Sequence, residues 1–195
     1  SHSYIEHIAI TKYLVAILSP AYFFTLLNAE NIIYVMFGNN WEGSAIYLSI
    51  ISPTCVLIPL ISLNLTLFKS LGNATLVLLI KFMQAIAVIF ILITVSKNFT
   101  FLLHLIVIMY CLMFVVSVIS LKSLDIYPIK KYIKQLIMSI IPSLVAVVIY
   151  LAVPEVNIKN GILSGGAHLA IFSFVNVVTF LIVKVICETS FFKRA

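Results

Sequence analysis

The residues best suited to chemistry in this chain stand inside long apolar runs. Lys81 lies seven residues beyond Ala74, and Gln84 follows three residues later. A separation of three puts both side chains near one face of a helix. An ammonium beside a carboxamide is a fitting partner for a phosphate or another anion in a central cavity. The competing reading is that the Lys81 stem carries its charge out to the headgroups. Asn64 is a third polar group deep in an apolar run, in company with Ser49, Ser52, Thr54, Ser62 and Thr66. Such groups are costly inside a membrane unless they pair, face water or reach the interface, so they mark candidate binding residues.

Other chemistry is not encoded. His2, His7, His104 and His168 are scattered without metal-ligand spacing. Cys55, Cys111 and Cys187 lie in or at the end of apolar runs, where thiols are structural. HExxH, CxxC, GxSxG and P-loop signatures are missing. The six acidic residues form no catalytic pair. The expectation is a protein that is not an enzyme, with no cofactor and no metal.

Composition says what must position these groups. Of 195 residues, 63% are hydrophobic and 9% are charged. A soluble domain is about 45–50% apolar and about 25% charged. A soluble domain, a disordered tail and a nucleic-acid reader are thereby excluded, and a polytopic membrane protein remains. Six apolar runs are expected to cross as helices, at 13–27 (with a start as early as Ile8), 44–67, 74–95, 101–121, 135–153 and 162–187. The connections are short, which makes neighbours antiparallel. The expected fold is therefore an all-α transmembrane helix bundle, one domain over 1–195.

The breaks are placed by proline, glycine and tryptophan. Pro20, Pro53, Pro59 and Pro142 fall inside apolar runs and are expected to kink them. Ile32–Phe37 is too short to cross and suits a helix lying at the interface or the last turns of a tilted first span. Gly38 suits its C-terminus, and Trp41 suits the headgroup level. Of the twelve Lys and Arg, nine (Lys12, Lys69, Lys122, Lys130, Lys131, Lys134, Lys184, Lys193, Arg194) fall on one side, two (Lys97, Lys159) on the other, and Lys81 within a span. This bias puts both termini in the cytoplasm. The basic stretch 128–134 is also suited to anionic membrane lipids.

From Pro20 to Gly72 the chain resembles the C-terminal part of bacterial polysaccharide or O-antigen exporters. These are lipid-linked oligosaccharide flippases of the superfamily that also holds multidrug extrusion proteins. A span with an internal proline, here Pro20, leads to a Phe-Gly-x-x-Trp-like stretch, here Phe37-Gly38-Asn39-Asn40-Trp41. A second span closes in a Leu-to-Gly turn, here Leu67-Phe68-Lys69-Ser70-Leu71-Gly72. A two-span hairpin, a basic connector and a proline-containing span with Pro142 follow. The family turn often has Arg after the glycine, where this chain has Asn73.

The resemblance implies the last six helices of a 12–14-span transporter, with the N-terminal half absent. It implies alternating access in the bacterial cytoplasmic membrane, carrying an undecaprenyl-diphosphate-linked O-antigen or capsule repeat unit. Lys81, with Gln84 and Asn64, would meet the pyrophosphate, and polysaccharide assembly proteins would be partners. A drug or cation extruder of the same superfamily, and a membrane enzyme acting on lipid-linked sugars, are the alternatives.

Overall fold

The computed structural model describes residues 2–95, 98–122, 124 and 127–152. Among them every regular element is helical: α1 (His2–Leu27), α2 (Ala29–Phe37), a 3-10 turn (Asn39–Ser44), α3 (Ala45–Ile51), α4 (Thr54–Ser70), α5 (Ala74–Thr94), α6 (Phe99–Lys122) and α7 (Ile129–Ala152). The fold is an all-α helix bundle. The sixth expected span, 162–187, lies outside the described residues.

Five stretches are long and apolar enough to cross a membrane: Ser3–Leu27, Asn39–Ser70, Ala74–Thr94, Phe99–Lys122 and Ile129–Val148. Their length answers a physical requirement. Lipid offers no hydrogen bonds, so a crossing backbone must satisfy its own N–H and C=O groups, as a helix does. The 21 residues of α5 rise about 31 Å at 1.5 Å each. That matches a hydrocarbon core of about 30 Å. Much of α5 faces outward; Leu78 is 72% exposed and Ile93 74%. On a crossing helix this surface is suited to lipid tails.

The helices alternate in direction. One end of the bundle collects Lys69 at the end of α4, Lys122 at the end of α6, and Lys130, Lys131 and Lys134 at the start of α7. The opposite end holds Glu30 and Glu42. α1 packs most extensively against α7 and α4, α4 against α6, and α5 lies against α6 and α4. The larger apolar core sits toward the lysine-rich end, where Ile8, Ile61, Phe68, Val77, Leu121 and Tyr132 meet.

Two helices begin earlier than hydropathy indicates. α1 starts at His2 rather than at Ile8 or Tyr13, and α7 at Ile129 rather than at 135. Their first turns are polar, yet His7, Thr11 and Tyr132 are buried. On α1 the positions 7, 11, 15 and 19 recur every four residues as His7, Thr11, Val15 and Ser19, all buried, which is one stripe turned into the bundle.

The second span is interrupted. Pro53 ends α3 and precedes α4, because it has no N–H to give the carbonyl four residues back. Nearby hydroxyls occupy carbonyls at the break: Ser52 donates to the Ser49 carbonyl that Pro53 leaves free, at 2.7 Å, and Thr54 to that of Ile51 at 2.6 Å. Pro20, Pro59 and Pro142 lie within continuous helices.

α4 ends in a reciprocal turn at Gly72, whose φ is +83°. Asn73 N–H donates to the Phe68 carbonyl at 3.0 Å and Gly72 N–H to that of Lys69 at 3.1 Å, the pairing that closes a helix through a left-handed residue. Gly38 ends α2 with a positive φ as well, +79°, but with ψ 179°. A Cβ built at Gly72 would touch nothing within 4 Å, so substitution there acts through the backbone alone. Gly72→Ala is expected to cost about 1–2 kcal/mol, and Gly72→Asn less, since asparagine tolerates this conformation. Thermal unfolding of the detergent-solubilised protein checks both.

Candidate functional site

Inside the bundle, buried polar groups meet in three joints. The largest is at the lysine-rich end. His7 Nδ1 on α1 lies 2.8 Å from the hydroxyl of Tyr127, in the connector before α7. The Tyr132 hydroxyl on α7 donates to Asn64 Oδ1 on α4 at 3.0 Å. Asn64 Nδ2 in turn donates to Ser117 Oγ on α6 at 3.0 Å, and Ser117 passes its own proton to the Phe114 carbonyl at 2.7 Å. The His7 ring stacks on that of Tyr132, with centroids 5.8 Å apart and planes 21° from parallel, while Tyr127 meets His7 edge-on. Four helices and a connector are thereby tied through one asparagine and three aromatic rings.

Among the described residues His7 Nε2 is buried with no hydrogen-bond partner. Burial pushes the Tyr127 hydroxyl well above the ordinary tyrosine range, so it stays neutral and serves only as a hydrogen-bonding group.

The second joint is midway along α1 and α7, where Ser19 Oγ and Ser143 Oγ are 2.7 Å apart. The third is at the opposite end. The Tyr150 hydroxyl donates to Asn28 Oδ1 at 2.9 Å, and Asn28 Nδ2 donates to the Phe24 carbonyl at 3.2 Å. Asn28 also borders a pocket of about 400 Å³ with Leu26, Glu30, Asn31, Ile46 and Ser49 on its walls. Ser49, which lines the same pocket as Glu30, gives its proton to the Ile46 carbonyl, so its oxygen remains an acceptor.

The expected binding residues divide between two places. Asn64 is wholly buried among α4, α6 and α7. Lys81 is on the exposed face of α5, and its Nζ donates to Gln84 Oε1 at 3.1 Å. Lys81 and Gln84 thus come together, and Asn64 stands apart from them. Pro20 and Pro142 are the sequence neighbours of Ser19 and Ser143. Trp41 is exposed, its ring 6.1 Å from that of Phe37. His104 is exposed, with Nδ1 2.8 Å from the Thr100 carbonyl. No group of His, Cys, Asp and Glu among the described residues could hold a metal ion. His168 lies outside them.

Sequence reasoning did not single out His7, Ser19, Ser117, Tyr127, Tyr132 and Ser143 as joint residues. The four-residue stripe on α1 was the available signal for His7 and Ser19. Nothing local marks the others, whose partners are 53 to 124 residues away.

The fold and its joints define a multi-spanning membrane helix bundle. No family model matches the chain, and neither a curated protein nor a solved structure is significantly similar to it.

The two classes of polar residue should separate in stability measurements. Asn64→Ala leaves the Tyr132 and Ser117 hydroxyls without their shared partner and is expected to cost about 1–2 kcal/mol. Lys81→Ala is expected to stay within about 0.5 kcal/mol of the parent, as surface substitutions do. Thermal unfolding in detergent, with both variants side by side, checks the contrast.

Proposed function

We propose that this bundle belongs to a transporter that carries a lipid-linked oligosaccharide across a bacterial cytoplasmic membrane by alternating access. The cargo is an undecaprenyl-diphosphate-linked O-antigen or capsule repeat unit. The lysine-rich end faces the cytoplasm, as the distribution of basic residues supports. A second helical half completes the central cavity, and polysaccharide assembly proteins act alongside.

The observation that carries the reading is the pairing of Lys81 with Gln84 inside a span. The Lys81 Cα is about 10 Å along α5 from Ala74, at 1.5 Å per residue. Its ammonium donates to Gln84 Oε1 at 3.1 Å. It is held on an outward face that also presents Leu78 and Phe82. At the centre of a span such a charge costs about 2.5–3.5 kcal/mol by insertion scales; Lys81 is the eighth of the 21 residues of α5. An anion carried on an apolar tail answers both properties of this face. The pyrophosphate would take the proton donors of Lys81 and the Gln84 amide, and the polyprenyl chain would lie against the apolar residues.

Two further features support the reading. α1, α4 and α7 each contain a proline, and α1 packs against both of the others, so helices able to bend adjoin one another. The Phe37–Trp41 and Leu67–Gly72 stretches resemble those of polysaccharide exporters. The cation-extruder alternative draws on the acceptor-rich pocket with Glu30 at the opposite end.

Lys81→Ala is expected to reduce export of lipid-linked oligosaccharide by about tenfold or more, the value of a lost charge-assisted hydrogen bond, with the amount of protein in the membrane unchanged. Lys81→Arg keeps the charge and is expected to retain most of the export. Surface polysaccharide in the host and flipping in inverted vesicles provide the readout. Unchanged export by Lys81→Ala removes Lys81 from the mechanism. Equal loss with Lys81→Arg argues against charge recognition.

A further inference from the structure

We infer that Ser19 and Ser143 form a pivot on which α1 and α7 rock against each other, so that the two ends of their seam open in turn. The inference rests on the transporter reading for its purpose and on the geometry of the seam for its substance.

The seam is joined at three heights. At the lysine-rich end His7 stacks on Tyr132 of α7 and bonds Tyr127 in the connector just before it, Ser19 meets Ser143 in the middle, and Asn28 meets Tyr150 at the opposite end. Along α1 these joints are about 18 Å and about 13 Å apart, at 1.5 Å per residue. The end joints reach across with tyrosine rings. The middle joint is made by two one-carbon side chains, which touch at 2.7 Å only where the backbones run close. The seam is therefore pinched at its centre and bridged at its ends.

The middle joint is also where both helices can bend. Pro20 follows Ser19, and Pro142 precedes Ser143. Each proline removes one backbone hydrogen bond from its helix and makes the bend local. Two flexible points thus stand face to face across a hydroxyl pair, and both serines are almost wholly buried, at 2% and 1% exposure. A short, dry contact between two bendable helices is a fulcrum, because the ends can separate without parting the centre. The outer joint is the easier to open. Asn28 borders the 400 Å³ pocket, where water or a ligand has access to the groups that hold it.

The test uses Ser19→Cys with Ser143→Cys in the whole protein, with Cys55, Cys111 and Cys187 replaced by alanine. The two sulfurs take the places of the touching hydroxyls, so mild oxidation closes a disulfide at the centre. Spin labels at Ser3 and Lys130 report the distance between α1 and α7 at one end. Labels at Leu26 and Leu151 report it at the other. The pivot requires two distance populations at each end, retained after oxidation, with transport within about twofold of the reduced protein. Collapse to one population, or loss of transport on oxidation, makes the joint a clamp and overturns the inference. A single population before oxidation makes the seam rigid and overturns it as well. If the cysteine pair does not assemble, Ser19→Ala with Ser143→Ala keeps the close approach. Two populations at each end are again required, and their loss counts against the pivot. A seam that rocks in a protein that carries no lipid-linked oligosaccharide defeats the transport reading and leaves the pivot standing.

Discussion

A polar group inside a bilayer must find its partner within the protein, because no water is there to replace one. This constraint is concentrated at Asn64. Its carboxamide accepts from Tyr132 and donates to Ser117, so one side chain on α4 ties α6 and α7. Tyr132 also stacks on His7 and brings in α1. Apolar contact alone cannot hold these helices, since lipid tails are as apolar as leucine. Specific hydrogen bonds and close packing fix which helix meets which. The arrangement of Pro20, Pro53, Pro59 and Pro142 has meaning only within the neighbour relations that these bonds set.

The chain carries two kinds of membrane-embedded polar residue, and they differ in what surrounds them. Asn64, Ser19 and Asn28 are buried and matched to partners on other helices. Lys81 and Gln84 are matched only to each other among the described residues, on a face that no described helix covers. The first kind accounts for cohesion. The second ties no described helix to another.

Much of the fold was legible in the amino-acid sequence. α5 and α6, at Ala74–Thr94 and Phe99–Lys122, fall within two residues of the runs at 74–95 and 101–121, because their apolar runs extend almost from end to end. α1 and α7 were read short because their opening turns carry His7, Thr11 and Tyr132, which hydropathy counts as exterior although the joints bury them. Pro53 was read as a kink and proves to be a break, with Ser52 and Thr54 bonding the carbonyls of Ser49 and Ile51 just before it. The site was less legible. Spacing brought Lys81 and Gln84 together, since both are on one helix. It also grouped Asn64 with them, because spacing fixes a face within a helix and says nothing about how two helices are rotated against each other. Ser19 and Ser143 are 124 positions apart, and no local pattern joins them.

The central claim is that these helices cross a membrane, with the lysine-rich turns on one side and the Asn39–Ser44 turn on the other. Single cysteines at Ser70, Lys130 and Asn40, labelled in intact cells and in inverted vesicles with a membrane-impermeant maleimide, test it directly. The account requires Ser70 and Lys130 to react from the cytoplasmic side and Asn40 from the opposite side. Labelling of all three from one side, or a chain that remains soluble without detergent, would contradict it.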